Sequence, residues 1–308
     1  MSVRYEAVGA DADGQRLDNF LLARAKGVPR SVIYRIVRTG QVRVNGKRAK
    51  VAQRLCSGDE VRIPPLQIAA QKSVTADTNV LHELRQTTLF EDDDYLLLNK
   101  PAGWAVHAGS GIRVGIVELL REGLSMPRLE LVHRLDRGTS GLLLLAKNRP
   151  ALNGAQGAWR TRTVKKIYTT LVWGRWDSRD RVVQHRLARY ETAWGERRVR
   201  VDPEGRSARS DFAVQRIGRN LSWLRVRLHT GRTHQIRVHA QSCGCVVVGD
   251  DKYDRQRDHR AQLGLSDHVL CLHAARLQLH LPGVGEVKWE VPEPEHFQAV
   301  WAADGNDV

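Results

Sequence analysis

From Thr88 onward the chain breaks into many short apolar runs bounded by Gly, Pro, Asp and Asn: LFEDDDYLLLNKP, SGLLLLAKN, KKIYTTLVWGRW, SDFAVQRIG, SWLRVRLHT and ARLQLHLPG. Runs of this length, rich in β-branched and aromatic residues, read as strands. Few helical patterns intervene, the best covering residues 115–121 and 233–242, the second with Thr233 as its cap. Strands outnumbering helices in this order predict an α+β domain on a largely antiparallel sheet over residues 88–308.

Residues 1–65 differ. RLDNFLLARAKG places Leu17, Phe20, Leu21 and Ala25 at helical spacing, and a second helical face follows at Val32, Ile33, Ile36 and Val37, ended by Gly40. QVRVNGKRAK then alternates about Asn45-Gly46, the strongest short hairpin signal because a type I′ turn needs positive φ at both central residues. A last strand at residues 60–63 runs into Pro64-Pro65. Arg35 and Arg38 on the second helix and Arg43, Lys47 and Arg48 on the hairpin would give this small α+β module one cationic face. Residues 66–87 show weak periodicity and read as a linker.

Charge narrows the partner. The formal net charge is +15, and residues 1–65 hold 13 basic against 6 acidic residues. Neutralising phosphates releases counterions, so a nucleic acid is the expected partner. Of the 49 basic residues only ten are lysine; Arg suits RNA through bidentate phosphate contacts and stacking, though a GC-rich coding bias gives the same excess. An anionic membrane is disfavoured, because no broad apolar helix face and no apolar run near eighteen residues occurs. The N-terminus lacks an apolar core of signal-peptide type, so a cytoplasmic protein is expected. Four cysteines without a Cys-x-x-Cys pair point to reduced thiols.

The chemistry centres on HRLDRGTSGLLLLAKN, residues 133–148, where Asp136 stands between Arg134 and Arg137 just before an apolar strand. An aspartate beside a Gly-Thr-Ser turn is most often structural, accepting backbone hydrogen bonds. Flanking arginines, however, keep a carboxylate ionised in a dry pocket, as a nucleophile requires. Metal-ligand spacings, a phosphate-cradling Gly-rich loop and a dinucleotide fingerprint are all missing, so neither a metal nor a cofactor is expected. KPAGWAVHAGSG with Trp104 and His107, KKIYTTLVWG with Tyr168, and HTGRTHQIRVHAQ with Arg232 interleave basic and aromatic residues in a way that suits RNA. Each alone is weak.

Together, in this order, these segments resemble the RluA-type pseudouridine synthases, in the branch acting on bacterial large-subunit (23S) ribosomal RNA, over nearly the whole chain. Residues 16–48 resemble an RNA-binding module shared with a small-subunit ribosomal protein. The resemblance implies cofactor-free isomerisation of uridine to pseudouridine by a monomer. It implies Asp136 as nucleophile or base, Arg232 as its ion partner, Tyr168 packed on a flipped-out target base, and Leu272 on the pocket floor. Arg134, Arg137 and His107 would contact substrate. Two departures stand out: Thr170 where a small Ala is expected, and two glycines in the helix after Asn148, each costing about 1 kcal/mol relative to Ala. Isomerisation of transfer RNA, a hydrolase releasing free base, and a non-catalytic RNA-binding or ribosome-assembly protein are the competing readings.

Overall fold

The computed structural model describes residues 3–25, 28, 30–66, 78–108, 114–177, 180–254 and 269–305. It divides into two compact units, residues 1–75 with 148–150, and residues 76–147 with 151–308.

In the first unit, β1 (Arg4–Ala7) is followed by α1 (Leu17–Arg24), α2 (Arg30–Arg38), β2 (Arg43–Val44), β3 (Lys47–Arg48) and β4 (Glu60–Ile63), with sheet order β1-β4-β2-β3. The helical spacing holds: Leu17, Phe20, Leu21, Ile33, Ile36 and Val37 are buried in one core. Asn45 (φ 50) and Gly46 (φ 73) both adopt positive φ, as the hairpin turn demands. The Asn45 amide donates to Asp59 Oδ1 and its carbonyl oxygen accepts from Glu60 N, each at 2.8 Å, tying the turn to β4. Buried Asp18 is held by Arg16 at 3.0 and 2.9 Å and by the Tyr34 hydroxyl at 3.2 Å. The residue expected to stop α1, Gly27, lies outside the described residues.

The second unit begins one element earlier than residue 88. Residues 78–86, expected within a linker, form α3 (Thr78–Gln86), with Leu84 buried and Val80 and Leu81 against the main core. Only three apolar residues in nine mark its buried side, which is why the pattern looks like a linker. Its Leu81 lies where a Cβ on Gly123 would come within 2.3 Å, a close approach that glycine permits.

The remaining elements are β5 (Thr88–Glu91), β6 (Tyr95–Lys100), α4 (Ile116–Gly123), β7 (Glu130–Leu131), β8 (Ser140–Ala146), α5 (Arg149–Thr161), β9 (Lys165–Trp173), β10 (Asp180–Glu191), β11 (Arg197–Val201), β12 (Arg206–Ile217), β13 (Leu221–Leu228), α6 (Gln235–Ser242), β14 (Val246–Val247), β15 (Leu272–Leu281), β16 (Gly285–Glu290) and α7 (Glu295–Ala303). One mixed sheet runs β11-β10-β12-β13-β9-β15-β8-β6-β5. Its pairs are antiparallel except β15 with β8, which run parallel at His273–Ser140 and Ala274–Gly141. The fold is therefore α+β on a largely antiparallel mixed sheet.

β8 is buried along its whole length and β6 almost so, which explains why both read as continuous apolar runs and not as alternation. The two glycines of α5 do not break it. A Cβ on Gly154 would meet Pro282 Cγ at 2.6 Å, so that glycine serves close packing. Thr170 buries its hydroxyl by donating to Cys271 O at 2.7 Å, which accommodates it where Ala was expected. All four cysteines are free thiols, Cys56 exposed and Cys245 and Cys271 buried.

Two histidines are sealed in this unit. His239 pairs with Ser210 Oγ at 3.0 Å and His273 with Ser140 Oγ at 2.8 Å, and burial pushes both imidazoles down to about 4. A lowered folded value means the unfolded chain binds more protons between about 6.5 and 4. Stability is then complete above pH 6.5 and falls as pH drops toward 4, by nearly 3 kcal/mol per pH unit around pH 5, about 1.4 for each histidine. Urea unfolding of the full chain at pH 7, 6 and 5 should show this slope, flattened by His273→Gln.

Candidate active site

The loop carrying Asp136 joins β7 to β8, so it leaves directly from a strand buried on both faces. His133 is fixed by stacking on Trp159, with ring centroids 5.1 Å apart and 15° between planes. Its Nε2 accepts from Leu144 N at 3.1 Å. Burial pushes this imidazole down to about 3, so it stays neutral and able to accept. Val132 and Leu135 are buried on either side, Asp136 is half-buried, and Arg134 and Arg137 are exposed. The Asp136 carbonyl accepts from Thr139 N at 3.1 Å, closing the turn and leaving the carboxylate free of that structural duty.

Beneath the loop lies Lys100, at the end of β6 and 0% exposed. Its Nζ donates to Pro101 O at 2.7 Å, Trp104 O at 2.9 Å and Arg137 O at 3.1 Å. Burial pushes the amine down to about 7, while the Asp136 carboxylate pulls the other way. Three carbonyl acceptors need three N–H donors, which only the ammonium supplies. We therefore assign a charged Lys100 whose positive field Asp136 shares. A reciprocal pair completes the clamp: Gly103 N donates to Arg137 O at 2.9 Å and Arg137 Nε donates to Gly103 O at 2.8 Å.

Tyr168 enters from β9, opposite Val226 of β13. It is buried in one cluster with Leu135, Leu270 and Leu272. The β9–β15 register shifts between His273 and Arg276, a bulge beside Tyr168 of the kind that re-aims a side chain near a site. Burial, and secondarily the negative Asp136, push the phenol up, so Tyr168 keeps its proton. Gly138 packs on Leu270, where an added Cβ would lie 3.2 Å away.

The segment expected to bring Arg232 starts its helix two residues later than predicted. α6 begins at Gln235 behind His234, which sits in the left-handed region at φ 52, and Thr233 does not cap it. Instead Gln235 Oε1 accepts from Arg232 N at 3.0 Å and from Thr230 Oγ1 at 2.8 Å, so a side chain from within the helix organises the turn. Arg232 is half-buried, and its Nε donates to Ser207 O at 3.1 Å. Among the described residues it forms no ion pair with Asp136, so the expected pairing is not present.

The Asp136 charge acts instead on Lys100, Tyr168, His234 and Arg237. Burial pulls the His234 imidazole down and Asp136 opposes it. Its Nδ1 meets the Tyr253 hydroxyl at 2.7 Å. Since that oxygen accepts from Val199 N at 2.9 Å, the phenol proton is assigned to His234 Nδ1. Buried Arg237 is paired with Asp250 at 2.7 and 2.5 Å.

His107 lies at the rim, 3.3 Å from Glu118, which also accepts from Ala108 N and Gly115 N at 3.0 Å each. Residues 109–111 of KPAGWAVHAGSG lie outside the described residues. Leu272 is buried in the cluster that holds Leu135, Tyr168 and Leu270. Arg35, Arg38, Arg43, Lys47 and Arg48 are all exposed on the first unit.

A profile described as RNA pseudouridylate synthase matches residues 94–242, and an S4 domain profile matches residues 15–61. The chain is 45% identical over 290 residues to the ribosomal large subunit pseudouridine synthase C of Haemophilus influenzae, covering 92% of this chain and 89% of that protein. The chain belongs to the RluA-type pseudouridine synthases. It is also 46% identical over 300 residues to the protein of the same name from Escherichia coli strain K12, across 96% and 94% of the two chains. A solved structure of human RNA pseudouridylate synthase domain containing 4 superposes at a TM-score of 0.60 with 25% identity, over 75% of this chain and 97% of that one. This synthase therefore carries an S4 RNA-binding domain ahead of its catalytic unit.

Of the residues expected from sequence, Asp136, Tyr168 and Leu272 fall in one region of the synthase, whereas Lys100, His234 and Arg237 were missed. The only signal for Lys100 was a lone lysine ending an otherwise apolar strand. Lys100→Met removes three donors at once and leaves carbonyls unsatisfied, at a cost of about 2 kcal/mol. Urea unfolding should show that loss, and turnover should fall further than stability alone explains.

Proposed function

We propose that this synthase isomerises specific uridines to pseudouridine in large-subunit ribosomal RNA, with Asp136 as the reacting carboxylate. What supports this reading is that half-buried Asp136 lies on the loop whose Arg137 carbonyl Lys100 clamps, and that its charge acts on both the buried Lys100 amine and the buried, protonated Tyr168 phenol. The large-subunit substrate follows from the similarity to bacterial ribosomal large subunit pseudouridine synthases C.

In the reaction the N1–C1′ bond breaks, the uracil turns, and a C5–C1′ bond forms. The C5 proton leaves and N1 gains one, so the change is a net isomerisation. A duplex hides this bond, and the target base must be flipped out. Tyr168 offers an uncharged ring for it to pack on. Asp136 acts on the ribose or the ring as nucleophile or base. Apolar Leu135, Leu270 and Leu272 exclude water that would otherwise intercept the detached base.

Phosphate binding falls to the S4 domain, whose Arg35, Arg38, Arg43, Lys47 and Arg48 are exposed. Such contacts give salt-dependent affinity without base specificity.

Unmodified transcripts of large-subunit ribosomal RNA and of transfer RNA, incubated with the protein and mapped by reverse transcription after carbodiimide treatment, test the reading. Stops at discrete uridines of the ribosomal transcript are expected, and Asp136→Asn should abolish them with affinity within about three-fold of wild type. Turnover retained by Asp136→Asn would remove Asp136 from the chemistry. Replacing Arg35, Arg38 and Arg43 together with Gln should weaken RNA binding and lower the slope of log affinity against log salt by roughly 2–3. An unchanged slope would overturn the phosphate-binding role.

A further inference from the structure

Trp194 is 94% exposed, at the turn between β10 and β11. A solvent-facing indole leaves a large apolar surface in water, and this one is not on a slack loop. Thr192 N donates to Glu196 O and Gly195 N to Thr192 O, each at 2.9 Å, and Glu196 N donates to Thr192 Oγ1 at 3.1 Å. Gly195 turns the chain at φ +76. Glu196 is held from outside by Lys252 and from β11 by Arg198. The turn is built to present its side chain at a fixed place.

Both arms of this hairpin are fastened to the turn that precedes α6. Arg189 Nη2 of β10 donates to Thr233 Oγ1 at 2.5 Å, and Val199 N of β11 donates to the Tyr253 hydroxyl that holds His234. His234 in turn lies within the field of Asp136. Trp194 stands five residues from each anchor, a reach of about 15 Å along a strand. Residues 186–200 carry five arginines against two glutamates, so the indole is displayed in a positive field.

We propose that Trp194 is a specificity-determining contact that stacks on an unpaired RNA base flanking the target uridine. An aromatic face suits any base, and surrounding arginines suit its phosphates. Trp194 stands about 15 Å along the hairpin from the anchors that tie it to the His234 turn, so its partner is a neighbouring nucleotide and not the one that reacts, and Trp194 would select RNA whose target sits beside a second unstacked base. A protein or lipid partner would also cover an indole, but the arginines on both arms favour a polyanion. The inference rests on the reading of large-subunit ribosomal RNA as substrate.

The test uses the full chain and an unmodified large-subunit ribosomal RNA transcript, comparing wild type, Trp194→Ala and Trp194→Phe. Trp194→Ala should weaken binding about ten-fold or more, the scale of one base–aromatic stack, without changing the salt slope. Trp194→Phe should recover most of it. In wild type, emission assigned to Trp194 by difference from Trp194→Phe should become shielded from acrylamide when RNA binds. Equal affinity of Trp194→Ala, or an indole still open to acrylamide in the complex, overturns the proposal. Conversion of uridines with Trp194 unshielded sinks this inference and leaves the proposed function standing. A shielded Trp194 with no uridine converted overturns the proposed function and, with it, the assignment of the stacked base to the flank of a target uridine.

Discussion

The Lys100 ammonium is the interaction on which the site depends. A lysine with no exposed surface is costly to bury, and here three backbone carbonyls replace its water. Two of them belong to the segment that follows β6 and one to Arg137, so a single cation fixes two loops at once. Asp136 in turn acts electrostatically on this buried amine. Structural and electrostatic roles are thus carried by one group, and neither can be removed alone. Lys100 pairs across the ladder with Gly141, and Gly141 at φ +105 lets β8 meet β15, where an added Cβ would lie 2.4 Å from Ala274 O. Loop, ammonium and the parallel strand pair therefore form one rigid unit.

The other side of the site is braced by a different chemistry. Arg237 and Asp250 form a bidentate pair with both side chains nearly sealed from solvent, and Asp250 Oδ1 also accepts from Lys252 N and Tyr253 N. Breaking such a pair strands a charge, so it locks the chain after α6 against the helix. That lock positions Tyr253, whose hydroxyl joins His234 to β11. The left-handed backbone of His234 is tolerable because Tyr253 and the Gln235 side chain hold it from both directions. A continuous path of hydrogen bonds then runs from the neighbourhood of Asp136 out to the β10–β11 hairpin.

What was legible in the sequence follows from how locally each feature is determined. Asn45-Gly46, the buried faces of α1 and α2 and the apolar runs of β6 and β8 are encoded within a few residues, and all were readable. α3 was missed because three apolar residues in nine leave little periodicity. The α6 start was misplaced because Gln235, not Thr233, organises the turn through contacts to Thr230 and Arg232. Asp136 and Tyr168 were reached through a family resemblance, since a turn aspartate and a strand tyrosine are ordinary in isolation. Lys100 and Arg237 take their meaning from carbonyls and a carboxylate distant in sequence, so no local pattern announces them. The Arg232–Asp136 ion pair was inferred from resemblance, whereas Arg232 Nε donates to Ser207 O.

An isomerase that detaches a base must differ from a hydrolase in what surrounds its carboxylate more than in the carboxylate itself. A hydrolase of this type needs a second acid and room for water. Among the described residues in the field of Asp136 are instead an ammonium already saturated by carbonyls, a phenol that burial keeps protonated, the His234 imidazole engaged by Tyr253 and Arg237 paired with Asp250, with the apolar Leu135, Leu270 and Leu272 packed around Tyr168. None of these is a second carboxylic acid. Burial is the shared cause of the raised Tyr168 phenol and the depressed Lys100 amine, and the same burial would keep solvent from any bond opened beside them under the proposed function.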